Sequence, residues 1–349
     1  MSDEVPQGVD PQQITAWLSE RADVHPPLRF ERIAGGQSNL TYRVFDTTGL
    51  RWVLRRPPLG QVLATAHDMG RESRIIEALA PTDVPVAPLV GASLDDSVNG
   101  APFYVMEFVE GHVVRGEAEA AVLSPQARAH AGEQLIDVMA RIHAVDPDAV
   151  GLGDLGRREG YIPRQLKRWY GQWEKSKSRE IPHVDQVHDA LLASVPEQGP
   201  ATIVHGDYRL DNCLLTDDGD VAAVLDWEIC TLGDPLADLG LLVVYWGEDE
   251  SGFTALPGGA TRAEGFPPAS ALVARYAEAS GRDVSQVDFY VAFGYWKLAC
   301  ILEGVYSRYR GGAMGASDDG AWELFAKQVE MLADAAAATV DRMSGSGSG

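Results

Sequence analysis

The sequence is poor in cysteine and in long apolar runs. Only Cys213, Cys230 and Cys300 occur among 349 residues, and their spacing is not that of a metal site. No segment is apolar over the roughly 20 residues that a membrane-spanning helix needs, and residues 1–13 lack the basic and apolar regions of a signal peptide. We therefore expect a cytoplasmic protein that has no membrane partner.

Positive charge is also scarce. The chain has 29 Lys and Arg residues against 51 Asp and Glu residues, a net charge of −22, which argues against nucleic acid or an anionic membrane as partner. The lysines are Lys167, Lys175, Lys177, Lys297 and Lys327. Because none lies in the first 166 residues, arginine must provide any positive charge that this part of the chain needs.

The first hundred residues predict a β-rich region. Residues 40–46 and 50–56 are apolar or alternating around Thr-Thr-Gly, which indicates a hairpin. Residues 66–80 have the apolar spacing of a helix, and residues 101–111 read as a buried strand. We assign residues 1–108 to an N-terminal lobe.

The remainder of the chain predicts mainly helices. Ser124 can cap a helix that begins with a proline, and long helices are expected at about 285–310 and 318–343. We assign residues 109–343 to a helical C-terminal lobe and residues 344–349 to a flexible tail. The fold class is therefore α+β.

Polar residues are concentrated beyond the apolar run that ends at residue 204. The stretch His-Gly-Asp-Tyr-Arg-Leu-Asp-Asn follows it, and the apolar runs 213–215 and 221–225 flank a turn that contains Asp-Gly. If these runs pair as antiparallel strands, their open ends bring Asn212 and Asp226 side by side. Carboxylate and amide oxygens are ligands that Mg²⁺ accepts.

This stretch, together with Leu-Asp-Trp-Glu at 225–228, resembles the catalytic and metal-binding loops of the aminoglycoside phosphotransferase family, whose members are relatives of the protein kinases. The resemblance implies a protein-kinase-like two-lobed fold and the use of ATP and Mg²⁺. It implies that Asp207 is the catalytic base and that Asn212 and Asp226 bind the metal.

Further residues take supporting roles through the same resemblance. His205 would orient the backbone of the loop, and Arg209 would support it. Asp234 and Asp238, in Gly-Asp-Pro-Leu-Ala-Asp-Leu-Gly, would brace the active site, with Asp234 also capping a helix.

The N-terminal lobe has the matching nucleotide-binding features. A turn containing Gly35, Gly36 and Ser38 would cover the phosphates. Arg55 occupies the strand position where the family usually has lysine, and its permanent charge and planar fork suit a phosphate. The adjacent Arg56 is a rival for this role.

Two more nucleotide-binding positions follow along the chain. Glu72, on the next helix, is the expected partner of the strand arginine. The backbone from Glu107 to Val109 resembles the hinge that pairs with adenine.

Within the family, residues 52–58, 66–72 and 226–240 most resemble the kinase domains associated with acyl-CoA dehydrogenases. These domains are implicated in phosphorylating hydroxyacyl-CoA compounds, so the resemblance implies a small-molecule hydroxyl acceptor of that kind. An aminoglycoside phosphotransferase remains an alternative. A non-catalytic, nucleotide-binding pseudokinase is another, favoured only by the arginine at position 55.

Three questions stay open at this level. The segment 157–179 is locally basic, and it either holds the phosphates of an acceptor or is a solvated helix face with Leu166, Trp169 and Trp173 turned inward. The aromatic stretches 243–250 and 289–300 either line the acceptor pocket or belong to the core. The sequence does not decide whether the chain forms a homodimer.

Overall fold

The N-terminal part is built on a five-stranded antiparallel sheet. The computed structural model describes residues 6–33, 39–59, 67–247, 259–311 and 322–346. In chain order the first elements are α1 (Pro11–Ser19), β1 (Arg29–Arg32), β2 (Leu40–Asp46), β3 (Gly49–Arg56), α2 (Met69–Leu79), β4 (Leu89–Ser93) and β5 (Phe103–Glu107). The sheet order is β1-β2-β3-β5-β4.

The hairpin expected at 40–56 is present as β2 and β3, joined at Thr47 and Thr48. Its inward side chains pack with α1 in a core that includes Ile14, Val44 and Phe103. The helix expected at 66–80 is α2, which begins after Asp68 because that carboxylate accepts a hydrogen bond from the Arg71 amide.

The C-terminal part is mainly helical. Its elements are α3 (Glu117–Ala120), α4 (Pro125–Ala144), α5 (Tyr161–Ser176), α6 (Pro182–Ala193), β6 (Thr202–Val204), β7 (Cys213–Leu215), β8 (Val221–Val224), β9 (Thr231–Gly233), α7 (Leu236–Trp246), α8 (Ala269–Ser280), α9 (Val287–Arg310) and α10 (Trp322–Ser346). Strands β6 and β9 pair, as do β7 and β8.

Two predicted boundaries differ from those observed. The strand expected over 101–111 is limited to Phe103–Glu107. Helix α10 continues to Ser346, so the first three residues of the expected flexible tail are helical.

Ser124 caps α4 as expected, because its hydroxyl accepts a hydrogen bond from the Ala127 amide. In the part of the chain that the structure describes, no helix is both long and apolar enough to cross a membrane.

Candidate active site

A cleft of about 730 Å³ lies between the sheet and the helical part. Its walls include six of the residues singled out from the sequence, namely Arg55, Glu107, Val109, Arg209, Asn212 and Asp226. Gly35, Gly36 and Ser38, which the sequence assigned to the phosphate-covering turn, lie outside the described residues. Residues from distant parts of the chain thus converge on one volume that is large enough for a small-molecule ligand.

The β7–β8 hairpin brings Asn212 and Asp226 together. The strands pair antiparallel with Cys213 opposite Val224, and the Leu225 amide donates a hydrogen bond to the Asn212 carbonyl at 2.8 Å. The two residues therefore lie at the open end of the hairpin, as the sequence predicted.

Asn212 also connects to Asp207. Its side-chain Nδ2 donates to the Asp207 carbonyl at 2.8 Å and to the Asp207 carboxylate at 3.0 Å. Because the amide nitrogen is used in this way, the amide oxygen is the atom that Asn212 can offer to a cation.

Asp226 has an unusual backbone. Its φ of 63° lies in the left-handed region, and it is the only residue other than glycine with a positive φ among those the structure describes. Aspartate tolerates this conformation better than most residues, yet at some cost, and such strain is typical of functional sites. The turn directs the Asp226 carboxylate to the Arg55 guanidinium, where Nη2 donates to Oδ1 at 2.7 Å.

Arg55 forms the centre of a buried charge cluster. Its Nε lies 3.0 Å from Glu72 Oε2, and its Nη2 lies 3.8 Å from Glu228 Oε2. The Arg55 side chain is 15% exposed and that of Glu72 only 1%. Burial opposes the charge on Arg55, but the surrounding acidic groups outweigh it and raise the arginine pKa.

The side chains of Arg55 and its neighbour Arg56 point to opposite sides of the sheet. Successive residues of a strand face opposite sides of the sheet, and Arg56 is turned away from the cleft. Its Nε donates to the Pro57 carbonyl at 3.1 Å, and its Nη1 donates to the Gly8 carbonyl. Of the two arginines, Arg55 is therefore the one that lines the cleft.

Three residues of this cluster were not found by sequence reasoning. The buried Asn39 donates from Nδ2 to Glu72 at 3.1 Å and to Glu228 at 3.2 Å. The Tyr104 hydroxyl donates to Glu72 Oε2 at 3.0 Å. Burial, together with the nearby Asp226 carboxylate, raises the pKa of Glu228 to about 7. The sequence could have indicated two of these residues by their position. Asn39 comes shortly after the Gly-Gly pair, and Glu228 follows Asp226 by two residues.

Asp238 holds the loop that leads to Asp207. Its Oδ2 accepts from the His205 amide at 2.7 Å, and its Oδ1 accepts from the Gly206 amide at 2.8 Å. On the other side of Asp238, the buried His143 contacts Oδ2 at 3.3 Å, and the Tyr276 hydroxyl contacts that histidine at 2.7 Å. Burial disfavours the Asp238 carboxylate, but hydrogen bonding and charge from His143 outweigh it and lower the pKa.

His205 links the two loops through its ring. The Leu225 carbonyl can only accept, so His205 Nε2 donates to it at 2.9 Å. The opposite nitrogen, Nδ1, then accepts from the Asp207 amide at 3.3 Å. The ring thereby fixes the backbone just before Asp226 and at Asp207, consistent with an orienting role.

Arg209 and Asp234 complete the support of the site. Arg209 Nε lies 2.9 Å from Asp211 and 3.4 Å from Asp207, and its guanidinium covers the Tyr245 ring at 4.6 Å. Asp234 accepts from the Leu236 amide at 3.1 Å and from the Tyr290 hydroxyl at 2.7 Å. The N-cap residue of α7 is Pro235, so the prediction that Asp234 caps this helix is wrong by one residue.

The segment that the sequence assigned to the hinge begins at Glu107, the last residue of β5. The Glu107 amide donates to the Pro88 carbonyl and the Phe108 amide to the Arg51 carbonyl, at 2.8 and 2.9 Å. Val109 is the next but one residue after Glu107 and also lines the cleft.

The oxygen donors at the hairpin end fit Mg²⁺ in kind and number. Asn212 and Asp226 supply an amide and a carboxylate oxygen, and Mg²⁺ is commonly held by one or two protein ligands with substrate phosphates and water. Among the residues that the structure describes, no group of three or more His, Cys, Asp or Glu side chains could hold a metal by itself. Asn212 and Asp226 could thus supply two of the oxygen ligands of such an ion.

Comparison with sequence families identifies relatives of the chain. The family model described as "Phosphotransferase enzyme family" matches residues 29–290. Among curated proteins, acyl-CoA dehydrogenase family member 10 of Mus musculus is 34% identical over 317 residues, which are 88% of this chain and 29% of that protein. Acyl-CoA dehydrogenase family member 11 of Homo sapiens is 30% identical over 337 residues, 93% of this chain and 42% of that protein. The chain therefore spans less than half the length of these relatives.

Comparison with solved structures identifies the fold. A candidate aminoglycoside phosphotransferase from Ralstonia eutropha superposes with a TM-score of 0.81 and 32% identity, covering 96% of this chain and 99% of that one. Spectinomycin phosphotransferase, solved with ADP and spectinomycin, gives a TM-score of 0.61 at 12% identity over 95% and 99% of the chains, which shows likeness of fold alone. The predicted α+β, protein-kinase-like fold is confirmed.

Proposed function

The chain belongs to the phosphotransferase enzyme family, and from this membership we propose that it is an ATP- and Mg²⁺-dependent kinase that phosphorylates a hydroxyl group of a small molecule. The observation that carries the proposal is the meeting of Asp207, Asn212 and Asp226 at one hairpin end, opposite the Arg55–Glu72 pair. These are the groups that phosphoryl transfer requires, and they come from four separate segments.

Asp207 would act on the acceptor. Its carboxylate would orient the hydroxyl and take its proton while the acceptor oxygen bonds to the γ-phosphorus and the bond to the β-phosphate oxygen breaks, releasing ADP. Asn212 and Arg209 hold this carboxylate in place by direct contact. Catalysis would consist mainly of positioning and charge neutralisation.

Arg55, Asn212 and Asp226 would handle the phosphates. A bound Mg²⁺ would neutralise negative charge on the β- and γ-phosphates, and Asn212 and Asp226 would hold it. Arg55 would add its guanidinium, with Glu72 fixing the orientation. We assign phosphate covering to the turn at Gly35, Gly36 and Ser38.

The adenine base would occupy the hinge side of the cleft, against the backbone of Glu107 and Val109. ADP in spectinomycin phosphotransferase, a protein of the same fold, supports a nucleotide in this chain. We also propose that the boundary between the two lobes lies at residues 108–109, within this hinge.

For the acceptor we propose a hydroxyacyl-CoA. The similarity to acyl-CoA dehydrogenase family members extends over 88–93% of this chain. A second support is the basic segment 157–179, most of which forms α5, where Leu166 and Trp173 are buried. Basic side chains are exposed on the opposite face, namely those of Lys167, Arg168 and Lys175. That face suits the phosphates of coenzyme A. An aminoglycoside is the second candidate, favoured by the name of the Ralstonia eutropha neighbour.

The proposal is tested by Asp207→Asn, which keeps the size of the side chain and removes its charge. We expect kcat to fall by roughly 10²–10⁴-fold, the usual contribution of a general base. Titration with Mg-ATP should give a Kd close to that of the parent, because Asp207 would contact the acceptor rather than the nucleotide. A kcat within threefold of the parent would falsify the assignment.

A further inference from the structure

We propose that Lys297 is a positioning residue for Asp207, and that its buried ammonium group holds the catalytic loop through the Gly206 carbonyl. The inference rests on the proposed function, because it concerns the geometry of the proposed base. None of the motifs that carry the family resemblance includes this lysine, which lies 90 residues beyond Asp207 on helix α9.

Gly206 is held on three sides. Lys297 Nζ donates to its carbonyl at 3.2 Å, and Asp238 Oδ1 accepts from its amide at 2.8 Å. The third side is closed by Ile229, since a Cβ on Gly206 would lie 3.1 Å from the isoleucine side chain, and the φ of +87° also favours glycine. Gly206, the residue directly before Asp207, is therefore held at both its backbone amide and its backbone carbonyl.

The burial of Lys297 needs a physical reason. It is 8% exposed, whereas the lysines at 167, 175, 177 and 327 are exposed or partly exposed. Burying an ammonium group is unfavourable unless partners compensate for its lost hydration. Burial lowers the pKa of Lys297, an effect that the Asp207 and Asp238 carboxylates oppose. The Trp169 ring, 5.9 Å from Nζ, adds a weaker contact.

An apolar side chain at this position would avoid the desolvation cost and still fill the space. The amino group at this buried position is therefore explained by its contact with the loop at the Gly206 carbonyl. A lysine that only filled space between helices would not direct its ammonium group to the one carbonyl that precedes the proposed base.

Helix α9 reaches the active site at a second point. Tyr290 precedes Lys297 by seven residues (297 − 290), so the two side chains lie on the same face of the helix. Tyr290 donates to Asp234 at the start of α7, and Lys297 donates to the loop before Asp207. One face of α9 thus braces both segments that flank the site.

The test uses Lys297→Met, which preserves length and apolar volume but removes the charge and the donor. We expect kcat to fall about 10²-fold, the effect of misplacing a catalytic group by about 1 Å, while the Kd for Mg-ATP stays within about twofold. Lys297→Arg should recover at least tenfold of the lost kcat. Lys327→Met, at an exposed position of α10, is the matched control and should match the parent.

Amide hydrogen exchange separates positioning from general structure and needs no acceptor. Lys297→Met should speed exchange in residues 204–209 and leave α9 unchanged. Faster exchange throughout α9, unchanged exchange in the loop, or a kcat within threefold of the parent would each overturn the inference. If the parent itself transfers no phosphate, the proposed function fails, whereas the exchange result still decides the role of Lys297.

Discussion

The Arg55–Glu72 pair gives the sharpest quantitative prediction, because the structure shows what is left when one partner is removed. In Arg55→Met the Glu72 carboxylate, 1% exposed, loses its cation. It keeps two hydrogen bonds, from Tyr104 at 3.0 Å and from Asn39 at 3.1 Å. Burial already raises the pKa of Glu72, so protonation of its carboxyl group would remove part of the cost of losing the cation.

Breaking a buried ion pair costs about 3–5 kcal/mol when one charge is left behind. The two remaining hydrogen bonds place the expected loss of stability near the lower limit, about 3 kcal/mol. Unfolding entropies of about 2.1 cal/mol/K per residue give a fall in Tm of about 4 °C for a chain of this length. The double variant Arg55→Met/Glu72→Gln removes the stranded charge and should recover about 2 kcal/mol.

Nucleotide binding should respond differently from stability. A charge-assisted contact is worth about 1.5–3 kcal/mol, so Arg55→Met should raise the Kd for Mg-ATP by about 10- to 100-fold. The double variant should stay equally weak although its stability recovers. Calorimetric unfolding and titration with Mg-ATP measure the two quantities separately.

Arg56→Met is the matched control for binding, since Arg56 faces away from the cleft. Its Kd for Mg-ATP should stay within about twofold of the parent, whatever happens to its stability. The reasoning is refuted if Arg55→Met loses less than about 1 kcal/mol, or if the double variant binds Mg-ATP as tightly as the parent.

Two other predictions concern stability alone. Burial raises the pKa of Glu228 in the folded protein to about 7, against an ordinary 4.5. Folding therefore favours the protonated carboxyl group. The resulting contribution to the free energy of unfolding is complete below about pH 4.5 and is lost as the pH rises through 7. In metal-free protein, Glu228→Gln should therefore gain Tm over the parent between about pH 5 and pH 8, and parallel pH profiles would contradict the cause given. A Cβ on Gly240 would lie 2.5 Å from the Tyr290 backbone, whereas one on Gly171 would meet nothing within 4 Å. Urea unfolding should show that Gly240→Ala loses about 1–3 kcal/mol and Gly171→Ala gains about 0.5–1 kcal/mol, and shifts of the same sign would refute the packing argument.

The hairpin end could be predicted because local signals determine it. The Asp-Gly turn and two short apolar runs fix the pairing of β7 with β8, and that pairing alone places Asn212 beside Asp226. The choice between Arg55 and Arg56 could not be made in the same way. Adjacent strand residues face opposite sides, so only the packing of β3 in the sheet decides which one enters the cleft.

The contributions of α9 were also beyond sequence reasoning. Its stretch 289–300 is apolar nearly all round, which hides the helical period. The structure assigns most of it to the core, with Phe289, Phe293 and Trp296 buried. The contacts of Tyr290 and Lys297 depend on loops that are 56 and 91 residues away in the chain, and no local pattern reports such distances.

The most direct test of the central claim is to look for the phosphorylated product. The parent is incubated with Mg-ATP and a panel of hydroxyacyl-CoAs, aminoglycosides and amino alcohols, and phosphate esters are detected by phosphorus NMR alongside ADP. We expect a hydroxyacyl-CoA to acquire a phosphate ester only when Mg²⁺ is present, and Asp207→Asn to form that ester at least about 10²-fold more slowly. Binding of Mg-ATP without an ester on any acceptor, as in a pseudokinase, or equal product from Asp207→Asn, would contradict the account.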